Sequence, residues 1–206
     1  MAAGGVAGGK TVAAQRDAWI VFEDEAGQTL RPPKARTWGR RGQTPVIPVS
    51  GKGSGRISIA GLACYRPGER SRLIYRTIVH RNRKGERRSF RERDYINLLD
   101  AAHQQLAAPI IVIWDNLNVH ISARMRQLIA ARDWLHVIRL PAYSPDLNPV
   151  EALWSHLKRS IGNLAVTGVD HLQAIIKNRL GRIQYRTDLL DGFLAHTGLT
   201  LEPDTT

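Results

Sequence analysis

Two short apolar runs, each closed by an aspartate, constrain this chain more than any other feature. Trp19-Ile20-Val21-Phe22 leads into Glu23-Asp24, and Pro109 to Trp114 leads into Asp115-Asn116. Apolar, β-branched runs of this length predict buried strands. Strands of open α/β sheets deliver side chains to the crevice at their C-terminal ends, so two strand-closing acids predict one shared site. Close carboxylates repel each other, and a cluster of them calls for a cation. By strand alternation Glu23 and Glu25 point to the opposite face from Asp24 and rank below it.

The remaining order fits an α/β domain. RISIAGLACY (56–65) and SRLIYRTIVH (71–80), joined by a Pro-Gly turn, predict a hairpin. A helix is expected over 91–107 with Tyr95, Leu98, Leu99 and Ala102 on one face, and another from Asn118 as N-cap to Arg132. A strand at 135–140 follows, then helices from Pro149 to about Ile161 and from Val169 to Ile183. A short strand is also expected around Thr37–Trp38. Strands, helix, strand, helix, strand, helix make a mixed sheet with helices covering its faces.

Glu151 is the third acid of interest. Asn148, Pro149 and Glu151 have the grammar of a helix start, with Asn at N-cap, Pro at N1 and Glu closing a capping box. Its place in the order supports a second reading. An acid on the first strand, one on a later strand and one on a following helix are what two divalent ions need for in-line phosphoryl transfer. Asp146, in a Ser-Pro-Asp turn, is read as a turn former.

Charge names the partner class. Thirty Lys and Arg against eighteen Asp and Glu leave a formal +12 over 206 residues, which makes a polyanion the first partner to consider. The Arg-heavy usage fits the codon bias of a GC-rich genome as well as it fits phosphate contacts. The positive charge gathers in 31–56 and 81–93, where a solvated loop and a phosphate-binding loop are both open. Cys64 is the single cysteine, so an internal disulfide and a multi-Cys zinc site are excluded. No apolar run approaches the roughly 18 residues of a membrane span, and no signal pattern opens the chain, which predicts a soluble, cytoplasmic protein with no membrane partner.

Three segments together resemble a known family. FEDEAGQTLRPPKARTWGRRGQTP (22–45), VIWDNLNVH (112–120) and LPAYSPDLNPVEALWSHLKR (140–159) are similar to the signatures of mariner-like DDE transposases, in particular the bacterial insertion-sequence branch called the six-thirty family. The resemblance covers about residues 18–160, and SPDLNPVE is its most specific run. It implies an RNase H-like fold with Asp24, Asp115 and Glu151 as the catalytic triad on two Mg²⁺ or Mn²⁺ ions. It implies hydrolysis of a phosphodiester at transposon ends and strand transfer into target DNA, by a homodimer or larger complex. A nucleoid association when active follows from that reading.

Other residues take roles by the same resemblance. Asn116 and His120 match its pattern and are candidates for touching DNA, with bracing of the Asp115 loop as the other role for His120. Lys158 lies two helical turns beyond Glu151 and could reach a phosphate. Arg36, Arg40 and Arg41 stand where relatives carry a projecting clamp loop, and Arg83, Lys84, Arg87 and Arg88 are further phosphate candidates. Trp154 is read as core packing. The expected organisation is a flexible lead-in at 1–17, a catalytic domain at 18–162 and a helical extension packed on it at 163–206. Relatives carry helix-turn-helix modules before the catalytic domain, so a separate or frameshift-joined N-terminal part is expected here.

Three readings compete. Gly4 to Thr11, GGVAGGKT, satisfies the Walker A pattern, but only Met1-Ala2-Ala3 precede it where a feeding strand is needed, so a P-loop ATPase is disfavoured. A catalytically silent DNA-binding remnant keeps the fold without the chemistry, and the survival of all three acids in register tells against it. Another RNase H-fold nuclease would not be expected to carry the SPDLNPVE run.

Overall fold

β1 (Trp19–Thr29) is the central strand of a five-stranded sheet in the order β3-β2-β1-β4-β5. The computed structural model describes residues 13, 16–34, 36, 38–43, 45–46, 55–141 and 144–201. β1 pairs antiparallel with β2 (Arg56–Tyr65), which forms the expected hairpin with β3 (Arg72–His80). On its other side it pairs parallel with β4 (Ile110–Trp114), and β4 pairs parallel with β5 (Leu135–Arg139). These directions bring the C-terminal ends of β1, β3, β4 and β5 to one edge of the sheet.

Side-chain alternation along β1 divides the core in two. Ile20, Phe22 and Ala26 face α4 (Pro149–Ser160), α5 (Val169–Gln184) and α6 (Thr187–His196), where Leu153, Trp154, Leu157, Ile176, Leu180 and Leu190 close the layer. Trp19 and Val21 face α1 (Glu92–Leu106) and α3 (Ala123–Ala130), against Tyr95, Leu98, Leu99, Ala102 and Met125. The result is a sheet covered by helices on both faces, as expected. The C-terminal helices share one core with β1, and the Tyr65 hydroxyl donates to the Leu190 carbonyl at 2.9 Å, tying α6 to β2.

Several expectations need correction. β1 does not end at Asp24 but runs on to Thr29, because β2 continues to pair with it as far as Thr29↔Arg56. The helix expected from Asn118 to Arg132 breaks at Ser122 (φ −62°, ψ 154°) into α2 (Asn118–Ile121) and α3. Ser122 causes the break by capping: its hydroxyl oxygen accepts from the Met125 amide and its hydroxyl donates to Glu92. Leu117, not Asn118, is the N-cap of α2. No strand forms at Trp38, which is fully exposed. Thr37 lies outside the described residues, as do most of the lead-in and the whole Walker-like segment 4–11, although Ala13 is buried against the core. No helix among the described residues is long and apolar enough to cross a membrane.

Candidate active site

Asp24, Asp115 and Glu151 line one open pocket of about 360 Å³. The parallel pairing of β1 with β4 stops at Phe22↔Ile113, so Asp24 lies beyond it and faces the gap where β4 ends. Asp115 follows the last residue of β4, and Glu151 stands in the first turn of α4. Two strands and one helix therefore deliver the acids from widely separated positions.

Local hydrogen bonds fix each approach. Asn148 is buried and does two things: its side-chain oxygen accepts from the Val150 amide at 3.1 Å, and its NH₂ donates to the Glu23 carbonyl at 3.0 Å. The capping at this helix start thus comes from Asn148, and Glu151 turns to the pocket. Asp115 accepts from the Leu117 amide at 3.0 Å and from His120 Nδ1 at 2.9 Å, both at Oδ1. Asn116 donates to the Leu140 carbonyl at 2.9 Å, joining the chain after β4 to the end of β5.

The electrostatics are those of crowded anions. Burial, then the charge of Glu151 and that of Asp115, pushes the Asp24 carboxyl up to about 7, against the opposing effect of the Glu25 backbone amide. Burial also works against ionisation of Asp115, but the His120 ring N–H and the Leu117 amide outweigh it and hold this carboxyl below its usual range. Glu23, directly behind, is fully buried, and burial followed by the charges of Asp24, Asp115 and Glu25 raises it well above the carboxylate range.

An all-oxygen set of carboxylates suits hard divalent cations such as Mg²⁺ and Mn²⁺. Beyond burial, the charges of Glu151 and Asp115 lift Asp24, and that repulsion is what such a cation relieves, so the residues fit the group. Among the described residues no three His, Cys, Asp or Glu side chains are already closed around a point, and the acids form an open mouth rather than a cage.

The other expected site residues divide. Asn116 lines the pocket, but its side-chain amide is spent on Leu140. His120 is buried rather than presented at the surface: its side chain is 1% exposed and sits behind Asp115. Lys158 is exposed but lies along β1 beside Ala26, Gly27 and Gln28, away from the acids. Arg36, Arg40 and Arg41 are exposed in the β1–β2 connection, and Arg83, Lys84, Arg87 and Arg88 in the β3–α1 connection. Both connections leave the edge of the sheet that carries the acids. Arg87 is engaged by Asp94 at 2.6 Å.

Sequence reasoning missed Glu23 as a partner of this site and gave Asn148 only half its role. The signal for Asn148 was present in its place before Pro149, whereas its second bond spans 125 residues and leaves no local trace.

Comparison with known proteins gives the family and the fold. The family described as DDE superfamily endonuclease matches residues 19–173. A stretch of 69 residues is 33% identical to the transposable element Tc1 transposase of Caenorhabditis elegans, covering 34% of this chain and 25% of that protein. The catalytic domain of Mos1 mariner transposase superposes with a TM-score of 0.54 at 16% identity, covering 94% of this chain and 90% of that one. In a Mos1 paired-end complex with Mn the TM-score is 0.65 at 15% identity, over 92% of this chain and 57% of the Mos1 chain. The chain thus spans a little over half of that Mos1 chain. The sheet and its flanking helices have the RNase H-like fold of the Mos1 catalytic domain.

Proposed function

The chain belongs to the DDE superfamily endonuclease family, and from that premise we propose that it is the catalytic domain of a mariner-like DNA transposase, of the six-thirty branch that its SPDLNPVE run resembles. It cleaves a phosphodiester at transposon ends and transfers the liberated 3′-hydroxyl to target DNA. The observation that carries this reading is the convergence of Asp24, Asp115 and Glu151 on one pocket at the C-terminal edge of the parallel strands.

Asp24, Asp115 and Glu151 hold two Mg²⁺ or Mn²⁺ ions in this reading. Bound there, the ions supply an activated water and charge stabilisation at the leaving oxygen. Asp24 gives up its proton when it becomes a ligand. Asn148 keeps the first turn of α4 against β1, so Glu151 stays within reach of the same phosphate as Asp24. The exposed arginines of the two loops neutralise DNA phosphates on either side of the scissile bond. Support comes from the similar Mos1 structures, which are described as paired-end and strand-transfer complexes and as complexes with Mg and Mn.

The active assembly is a homodimer or larger, with a helix-turn-helix part that reads the ends supplied separately or by frameshifting. It works in the bacterial cytoplasm, on the nucleoid. Mg²⁺-dependent nicking and strand transfer on a labelled end substrate, with a DNA-binding part added, test the proposal. Activity is expected from the parent and is lost in Asp115→Asn and Glu151→Gln; activity retained in both variants overturns the triad.

A further inference from the structure

Behind the pocket lies a buried polar line that the proposed chemistry does not use. Strand alternation sends Asp24 to the pocket and Glu23 to the opposite face of β1, where its side chain is 2% exposed. The short helix α2 folds His120 back under the end of β4, so that its ring lies between Glu23 and Asp115. His120 Nδ1 is 2.9 Å from Asp115 Oδ1, and Nε2 is 3.4 Å from Glu23 Oε2. Neither Nε2 nor either Glu23 oxygen has a close hydrogen-bond partner of its own. Unpaired buried polar atoms are costly, and here they face one another.

The imidazole is also held mechanically. Trp114 stacks on it at 4.3 Å with the planes 5° apart, and Tyr95 meets its edge at 4.8 Å and 81°. Tyr95 is in turn fixed by donating its hydroxyl to Glu25 at 2.7 Å. A ring clamped on both sides has one orientation in which to offer its two nitrogens.

We infer that His120, backed by the Glu23 carboxyl, is a positioning residue for Asp115, holding its Oδ1 against the protein and leaving Oδ2 to a divalent cation in the pocket. Oδ1 already accepts from the Leu117 amide, so the ring nitrogen facing it is a donor. On the other side of the ring, Nε2 and Glu23 Oε2 face each other at 3.4 Å, so the buried Glu23 carboxyl backs the imidazole from behind. Partners of this kind behind a metal-binding carboxylate fix its rotamer, and losing one typically costs 10–100-fold in metal affinity. The inference rests on the reading of Asp115 as a metal ligand, and its test separates the two.

Mn²⁺ binding to the 206-residue chain is measured by the loss of the free-ion electron paramagnetic resonance signal, for the parent, Asp115→Asn, His120→Ala and His120→Asn. Asp115→Asn tests the underlying reading and is expected to lose binding. His120→Ala is expected to weaken Mn²⁺ binding by about 10–100-fold. His120→Asn is expected to recover most of it, because its amide N–H can stand in for Nδ1–H. If His120→Ala binds like the parent while Asp115→Asn does not, the positioning role is wrong and the metal site stands. If Asp115→Asn binds like the parent, both fall. Nitrogen-15 NMR of the metal-free parent tests the arrangement without any variant having to fold. A slowly exchanging proton on His120 Nδ1 is expected, and a deprotonated Nδ1 overturns the inference.

Discussion

Asn148 donates its side-chain amide to the Glu23 carbonyl at 3.0 Å, and so pins the start of α4 to β1 one residue before Asp24. The same side chain caps α4 through the Val150 amide. One buried residue therefore sets the separation between a strand acid and a helix acid.

Asn148→Ala removes the cap, worth about 1 kcal/mol, and strips the Glu23 carbonyl of its side-chain donor, worth about 1–2 kcal/mol more. Urea denaturation is expected to show a loss of roughly 2–3 kcal/mol. Asn148→Asp keeps the cap acceptor but loses the donor and adds a fourth anion to the pocket, so it should fold yet nick DNA at least tenfold more slowly than the parent. A fully active Asn148→Asp would show that the clasp to Glu23 does not position Glu151.

Gly61 sits opposite Asp24 in the β1–β2 ladder, and Trp154 occupies the space a side chain would take. A Cβ at this position would lie 2.7 Å from Trp154 Cη2. Gly61→Ala must push the indole away from the strand that carries Asp24, at a cost of about 1–3 kcal/mol for overpacking. Adding Trp154→Phe, which shortens the ring, should return part of that loss in a thermal melt. Additive losses in the double variant would mean that the two positions do not meet.

Within the basic β3–α1 connection the cations differ in how free they are. Arg87 is already engaged by Asp94 in the first turn of α1, whereas Arg83, Lys84 and Arg88 are exposed in the same connection. Removing one cation that neutralises a DNA phosphate should flatten the dependence of log K on log salt by about 0.9. Arg83→Ala and Arg88→Ala are expected to do so in filter binding with a short duplex, and Arg87→Ala to do so less. Equal slopes for all three variants would show that the Asp94 pair does not withhold Arg87 from DNA.

Much of this molecule was legible in the sequence because its signals are local. The apolar runs at 19–22 and 110–114 marked the central parallel pair, and Asn148-Pro149 marked the start of α4. Where β1 ends was not legible. EDEAGQT has no strand pattern of its own and stays extended because β2 pairs with it. Ser122 read as helix interior because the helical period runs on through it, and a serine that caps through the Met125 amide looks the same in sequence as one on a helix face. The Glu23–His120–Asp115 line crosses two strands and a helix, and strand alternation pointed only to the face on which Glu23 lies.

The raised carboxyl of Asp24 ties stability to pH in a definite direction. Its ordinary value is 3.8 and its value in the folded, metal-free chain is about 7. Between those pH values the native state keeps a proton that the unfolded chain has released, so native stability falls as pH rises through the window. Glu23, raised by burial, acts in the same direction. Asp115, held low, acts oppositely, but its contribution is complete above the ordinary carboxylate range and lapses only in acid. Each unit of difference is worth about 1.4 kcal/mol, so the Asp24 effect amounts to a few kcal/mol. The metal-free parent should therefore melt at higher temperature at pH 5.5 than at pH 8, and Asp24→Asn should reduce that difference and be the more stable chain at pH 8. Mn²⁺ should raise the melting temperature of the parent at pH 8, more weakly at pH 5.5 where a proton competes for Asp24, and leave Asp24→Asn little changed. A metal-free pH dependence identical in parent and Asp24→Asn would show that Asp24 is not the group titrating near neutrality.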